Sequence, residues 1–109
     1  MTGETERKIR LNEKLVGLMG LALRARLVEL GFEAVKRNIE KNKIAFVLLS
    51  EEISADSAKR IRWIAERHRV PVFAMQDDLP WRTWLGIDRF KIIGMRRGEM
   101  ARGFLKHLN

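Results

Sequence analysis

Ile44-Ala45-Phe46-Val47-Leu48-Leu49, bounded by Lys43 and Ser50, is the stretch whose reading decides the fold. An unbroken apolar run of this length, with β-branched and aromatic residues, reads as a strand buried on both faces. Strands of that kind lie in sheets covered by helices on each side. The flanking sequence fits. Upstream, Gly31 opens a helical pattern with Phe32, Val35 and Ile39 on one face and Lys36, Arg37, Glu40 and Lys41 on the other. Before it, Leu27 to Leu30 reads as a brief strand. Downstream, Ser54 or Asp56 starts another helix, whose inner face is Ala58, Ile61, Ile64, Ala65 and His68. Val70-Pro71-Val72-Phe73-Ala74-Met75 is the next strand, with Pro71 near its start, where a missing N–H matters least.

Further out, residues 1–10 read as a frayed tail and 11–109 as one domain. A first helix is expected from about Asn12, which can cap it, to Ala25. Asp77 or Asp78 is expected to cap a short helix with Pro80 in its first turn and Trp81, Trp84 and Leu85 on one face, ended by Gly86. Phe90 to Met95 reads as a final strand. Ala101, Phe104, Leu105 and Leu108 mark the inner face of a closing helix. Strands alternating with crossover helices predict an α/β protein, a three-layer α/β/α sandwich with a mixed sheet of about four strands.

The chain of 109 residues carries 22 Lys+Arg against 14 Asp+Glu, a formal charge of +8. So large a positive excess on a small domain suggests a polyanionic partner. With no cysteine, disulfide scaffolds, zinc knuckles and thiol catalysis are excluded, and a cytoplasmic location is expected. No apolar run approaches the roughly 20 residues needed to cross a bilayer, so no membrane partner is expected. Arg7, Lys8, Arg10 and Lys14 before Leu15 to Leu23 copy the layout of a secretory signal. Glu4, Glu6 and Glu13 dilute that layout, and Leu11, Leu15, Leu18 and Ala22 recur at helical spacing, so a buried first helix is preferred.

Catalysis finds little support. His68 and His107 are the only histidines, and each reads as a residue near a helix end. There is no nucleophile elbow, zinc-protease motif or Gly-rich phosphate loop. No cofactor and no metal are expected. Glu51, Glu52 and Asp56 could imitate a metal site, but at a strand-to-helix turn they read as favouring a helix dipole. Gly17-Leu18-Met19-Gly20 matches a Gly-x-x-Gly RNA-binding loop only formally. Its register is helical, and close helix packing at small residues is the expectation.

Lys59, Arg60, Arg62, Arg67 and Arg69 read as a solvated helix face. A different group is more suggestive. The amino end of the helix opened by Gly31 attracts phosphate through its free N–H groups. Lys36, Arg37 and Lys41 lie along that helix, and Gly86-Ile87-Asp88-Arg89 forms the last helix-to-strand loop. In an alternating α/β sandwich these can share one edge of the sheet.

In order and spacing, Gly31 to Arg37, Ile44 to Ser54, Val70-Pro71-Val72 and Leu85-Gly86-Ile87-Asp88 resemble the kink-turn RNA-binding ribosomal-protein superfamily of the archaeal and eukaryotic large-subunit type. The leading segment Leu15 to Ala25 resembles its bacterial YlxQ-like branch. The resemblance spans about Leu15 to Phe104. It implies the three-layer sandwich, and binding of sharply bent RNA through the amino end of the second helix and the last helix-to-strand loop. RNA contacts are thereby implied for Gly31, Phe32, Glu33, Lys36, Arg37 and Lys41 and for Gly86, Ile87, Asp88 and Arg89.

The family signature is a Gly, an Asn-Glu pair, and a Lys three residues after the Glu. Gly31 matches the Gly and Arg37 supplies the cation, but Glu33 and Ala34 occupy the Asn and Glu positions. Ala34 cannot hydrogen-bond through its side chain, and a carboxylate accepts without donating. Base readout therefore weakens while phosphate-directed affinity survives. Arg26 stands where the bacterial branch has a turn glycine. The expected function is a non-catalytic, ribosome-associated, monomeric protein that recognises structured RNA by shape and backbone charge. The alternative is a protein-interaction module that kept the fold, which an exposed apolar patch including Trp63 or Trp81 would favour.

Overall fold

The computed structural model describes residues 7–76, 81–82 and 89–108. In chain order its elements are β1 (Arg7–Ile9), α1 (Glu13–Arg24), β2 (Val28–Leu30), α2 (Phe32–Glu40), β3 (Ile44–Leu49), α3 (Ala55–Arg67), β4 (Val72–Met75), β5 (Ile92–Arg96) and α4 (Glu99–Lys106). The strands form one sheet in the order β1-β4-β3-β5-β2. β3 pairs in parallel with β4, and β4 with β1, whereas β5 runs antiparallel to both β3 and β2. The sheet is therefore mixed, as expected, but among the described residues it has five strands where about four were anticipated. The additional strand is β1. Residues 7–9, assigned to a frayed tail from sequence, pair with Phe73, Ala74 and Met75.

β3 lies at the centre of the sheet, with helices on both faces. Phe46 and Leu48 pack on the side of α1 and α4, with Met19, Ala22, Ala101 and Phe104. Val47 and Leu49 pack on the side of α2 and α3, with Val35, Ile39, Ala58 and Ile61. Ile44 joins this second side although strict alternation would put it beside Phe46. A register shift between Ile44 and Phe46 accounts for the switch, because one irregular residue turns every side chain before it to the other face. Phe46 stacks on Phe104 at 5.0 Å and meets Phe73 edge-on at 5.9 Å, tying α4, β3 and β4 together.

Asn12 caps α1 by accepting the Leu15 N–H, and Ser54 caps α3 by accepting that of Ser57. Three helices end alike. Arg26, Asn42 and Arg69 adopt φ of 60°, 59° and 59°. The next N–H then donates back across the last turn, Leu27 to Ala22, Lys43 to Asn38 and Val70 to Ala65. These are left-handed helix stops that glycine usually fills. The turn at Arg26 is thus made with an arginine in glycine's conformation.

Gly17 and Gly20 correct an expectation. Both lie in α1, but a Cβ at Gly17 would meet nothing within 4 Å, and at Gly20 only the tip of Arg24, at 3.7 Å. They do not mediate close packing, because Leu15, Met19 and Ala22 form the buried face of the helix. Close packing occurs instead at Gly94 of β5, where a Cβ would stand 3.2 Å from Val35 and Ile44 side-chain atoms. Helix α2 is thereby seated directly on β5. Asn38, also buried, braces it: its Nδ2 donates to the Ala34 carbonyl at 2.8 Å, and its Oδ1 lies 3.5 Å from Arg96, which pairs with Glu29 at 2.7 Å.

Among the described residues, no helix is long and apolar enough to cross a membrane. The expected short helix from Asp77 or Asp78 to Gly86 falls largely outside the described residues.

Candidate nucleic-acid interface

Helix α2 begins directly after β2, so the chain must reverse at Gly31. That residue takes φ 92° and ψ 163°, a region essentially reserved for glycine. Its N–H donates to the carbonyl of Ile92 at 3.0 Å, and its carbonyl accepts from Val35 at 3.1 Å. Gly31 has no side chain to cap the helix. The first-turn N–H groups of Phe32, Glu33 and Ala34 have no partners within the helix. This end of α2 thus presents donors and the positive end of the helix dipole at the edge of the sheet.

The turn preceding β5 is held against the same point. The Phe90 ring covers Gly31, and the Trp81 indole donates to the Phe90 carbonyl at 2.9 Å. The Arg89 guanidinium stands 5.5 Å from the Phe90 ring centre. Arg89 is thus placed beside the ring that packs on Gly31. Trp81 is buried and does not offer a stacking surface.

The other predicted residues divide. Glu33 and Arg37 are exposed on α2, one turn apart, and both follow Gly31 closely. Lys36 lines the groove between α2 and α3, its ammonium 4.0 Å from Glu40 of the same helix. Lys41 is the C-cap of α2, about 14 Å along the axis from Phe32 at 1.5 Å per residue. It does not join the cluster at Gly31. Gly86, Ile87 and Asp88 lie outside the described residues.

One cation escaped sequence reasoning. Arg60 of α3 lies over the Phe32 ring at 4.5 Å. A charge run on a helix reads as solvated, and only the side-by-side packing of α2 and α3 brings this guanidinium beside the α2 amino end. Glu33 acts in the opposite sense. Its carboxylate occupies the first turn, where it favours the helix dipole and opposes an incoming anion.

The acidic residues after β3 do not form a metal cluster. Among the described residues no three His, Cys, Asp or Glu side chains converge on a metal position. Glu52 instead binds Lys91 at 3.1 Å and Arg82 at 2.6 Å. The hydrogen bond from Lys91, with the charges of Arg82 and Lys91, holds its carboxyl below the ordinary range against an opposing desolvation. Its sequence reading as a dipole partner of α3 is replaced by this tie to the chain around β5. Asp56 does sit in the first turn of α3. His68 and His107 are the C-caps of α3 and α4.

The chain matches no protein-family model and no curated protein. Its structure is similar to that of a protein of unknown function from Bacillus halodurans, with a TM-score of 0.77 and 22% identity over 87% of this chain and 96% of that one. It is also similar to the 15.5kD RNA binding protein of Giardia lamblia, with a TM-score of 0.70 and 10% identity over 87% of this chain and 84% of that one. The three-layer sandwich is thus a fold this chain has in common with both proteins.

Proposed function

We propose that the protein is a non-catalytic, ribosome-associated RNA-binding protein that recognises bent, kink-turn-like RNA with the amino end of α2 and the turn before β5. The observation that carries this reading is the contact of Phe90 with Gly31. Through it, the turn that carries Arg89 is held at the amino end of α2, whose first-turn N–H groups have no partners within the helix. Arg60 lies over Phe32 and Arg37 is exposed further along the helix, so cations stand near donors suited to phosphates. The charge of +8 supplies long-range attraction. The similarity in fold to an RNA binding protein adds support. With Glu33 and Ala34 in place of donors and acceptors for base edges, phosphate geometry dominates recognition.

The alternative, a protein-interaction module, is favoured by one observation: Trp63 is 59% exposed. Its surroundings are strongly cationic, however, with Lys36, Lys59, Arg60 and Arg67 around the same groove. A titration of a kink-turn RNA, a plain duplex and a single strand, each at two salt concentrations, tests the reading. Tighter binding of the kink-turn RNA at both salts is expected. Equal affinity for all three reduces the function to charge alone, and no binding to any of them removes it.

A further inference from the structure

Helices α2 and α3 run side by side and leave between them a groove of about 570 Å³. Trp63 and Ile64 are the apolar side chains in its lining. Its rim carries Lys36, Lys59, Arg60 and Arg67 against only two carboxylates, Glu40 and Asp56, the first of which lies 4.0 Å from Lys36. Trp63 is 59% exposed, yet its ring is oriented, because the Arg67 guanidinium lies 4.7 Å from its centre. An exposed indole normally costs solubility, and a lone one amid cations does not make an apolar protein-binding patch.

Arg60 precedes Trp63 and Ile64 by three and four residues, and Arg67 follows them by four and three, so the four lie on one side of α3. This side begins at the proposed RNA edge, where Arg60 lies over Phe32, next to Gly31. We propose that this groove is a second subsite for an unpaired segment of the bound RNA, with one base stacked on Trp63 and the adjoining phosphates held by Lys59 and Arg67. A π-face beside positive charge is the pairing that binds single strands without sequence preference. The groove thus captures the strand that leaves the bent duplex and runs outward between α2 and α3. This inference rests on the reading of the α2 edge as the duplex site.

The test uses the full chain and anisotropy titrations with a blunt kink-turn RNA and with the same RNA bearing four unpaired uridines at one end or the other. One overhang should tighten binding about tenfold, within the range expected for stacking a single base. Trp63→Ala should abolish that gain and leave the blunt affinity unchanged, while Trp63→Phe should retain most of it. A gain that survives Trp63→Ala, or no gain with either overhang while blunt RNA binds, overturns the subsite and leaves the duplex reading standing. Failure of every kink-turn RNA to bind, with Trp63-dependent fluorescence quenching by a uridine octamer, overturns the duplex reading and supports the groove. Trp63-dependent binding of an acidic leucine-containing peptide, with no response to the octamer, overturns the subsite in favour of a protein partner.

Discussion

The Phe90 ring lies against Gly31 so closely that its Cδ1 stands 3.2 Å from where a Cβ at residue 31 would be. Two segments far apart in sequence meet there, the Phe90 ring resting directly on the Gly31 backbone. Backbone conformation and packing therefore impose the same requirement on residue 31.

Gly31→Ala should destabilise the fold by about 1–3 kcal/mol, the cost of a non-glycine residue in this region of backbone space, with the Phe90 contact adding to it. Urea unfolding should show a lower midpoint at an unchanged slope. RNA affinity should fall as well, because the displaced Phe90 carries Arg89 with it.

Glu33→Asn should act in opposite directions on binding and stability. Removing a first-turn carboxylate forfeits about 0.3–1 kcal/mol of dipole stabilisation. It also removes repulsion toward phosphate and introduces an amide that can donate. Tighter binding of bent RNA is expected, by about two- to fivefold, together with a slightly lower Tm. A change of both quantities in the same direction would contradict this account of Glu33.

Neutralising Arg37 or Arg89 with glutamine should flatten the salt dependence of RNA binding. Each lost phosphate contact lowers the log–log slope by about 0.7–0.9. Lys41→Gln, at the far end of α2, should change it less. The three slopes, measured from 50 to 300 mM salt (roughly the range in which counterion release is resolved), test which cations face the RNA.

Arg26→Gly should stabilise the protein. Arg26 has φ 60°, a conformation that costs an L-residue roughly 1–2 kcal/mol. Glycine returns part of this through its larger unfolded-state entropy, so a net gain of about 0.5–1 kcal/mol is expected. Thermal unfolding of the variant beside wild type checks it.

Glu52 should make a pH-dependent contribution to stability. Its lowered pKa, caused first by the Lys91 hydrogen bond and then by the nearby positive charges, means that the unfolded chain takes up the proton more readily. The contribution is full above the ordinary glutamate range and is lost as pH falls through the lowered folded value. Glu52→Gln should therefore lower Tm at neutral pH, with the two curves converging in acid.

The sandwich is legible because β3 has an unmistakable sequence: an apolar run too continuous for a one-sided strand, between helices whose inner faces repeat at the right spacing. β1 is not legible. Arg7-Lys8-Ile9 has no alternation to detect, and its pairing with β4 is made far away in sequence. The helical period locates α1, but not where its glycines point, since that depends on which side α4 covers. At the site, Gly31 announces itself as a turn residue. Arg60 does not, because its role depends on α3 lying beside Phe32, and the Phe90 contact has no local signal at all.

The hydrogen bond from Gly31 to Ile92 joins the two halves of the α2 edge across most of the chain. Neither half can hold a ligand in the arrangement described unless the β2–β5 pairing is intact. Ligand binding and global folding are therefore one coupled equilibrium, and a specific RNA present at a hundred times its Kd would raise the unfolding free energy by about 2.7 kcal/mol. A simple melting curve in the presence of candidate RNAs thus becomes a search tool, ranking partners by how far each delays the separation of β2 from β5.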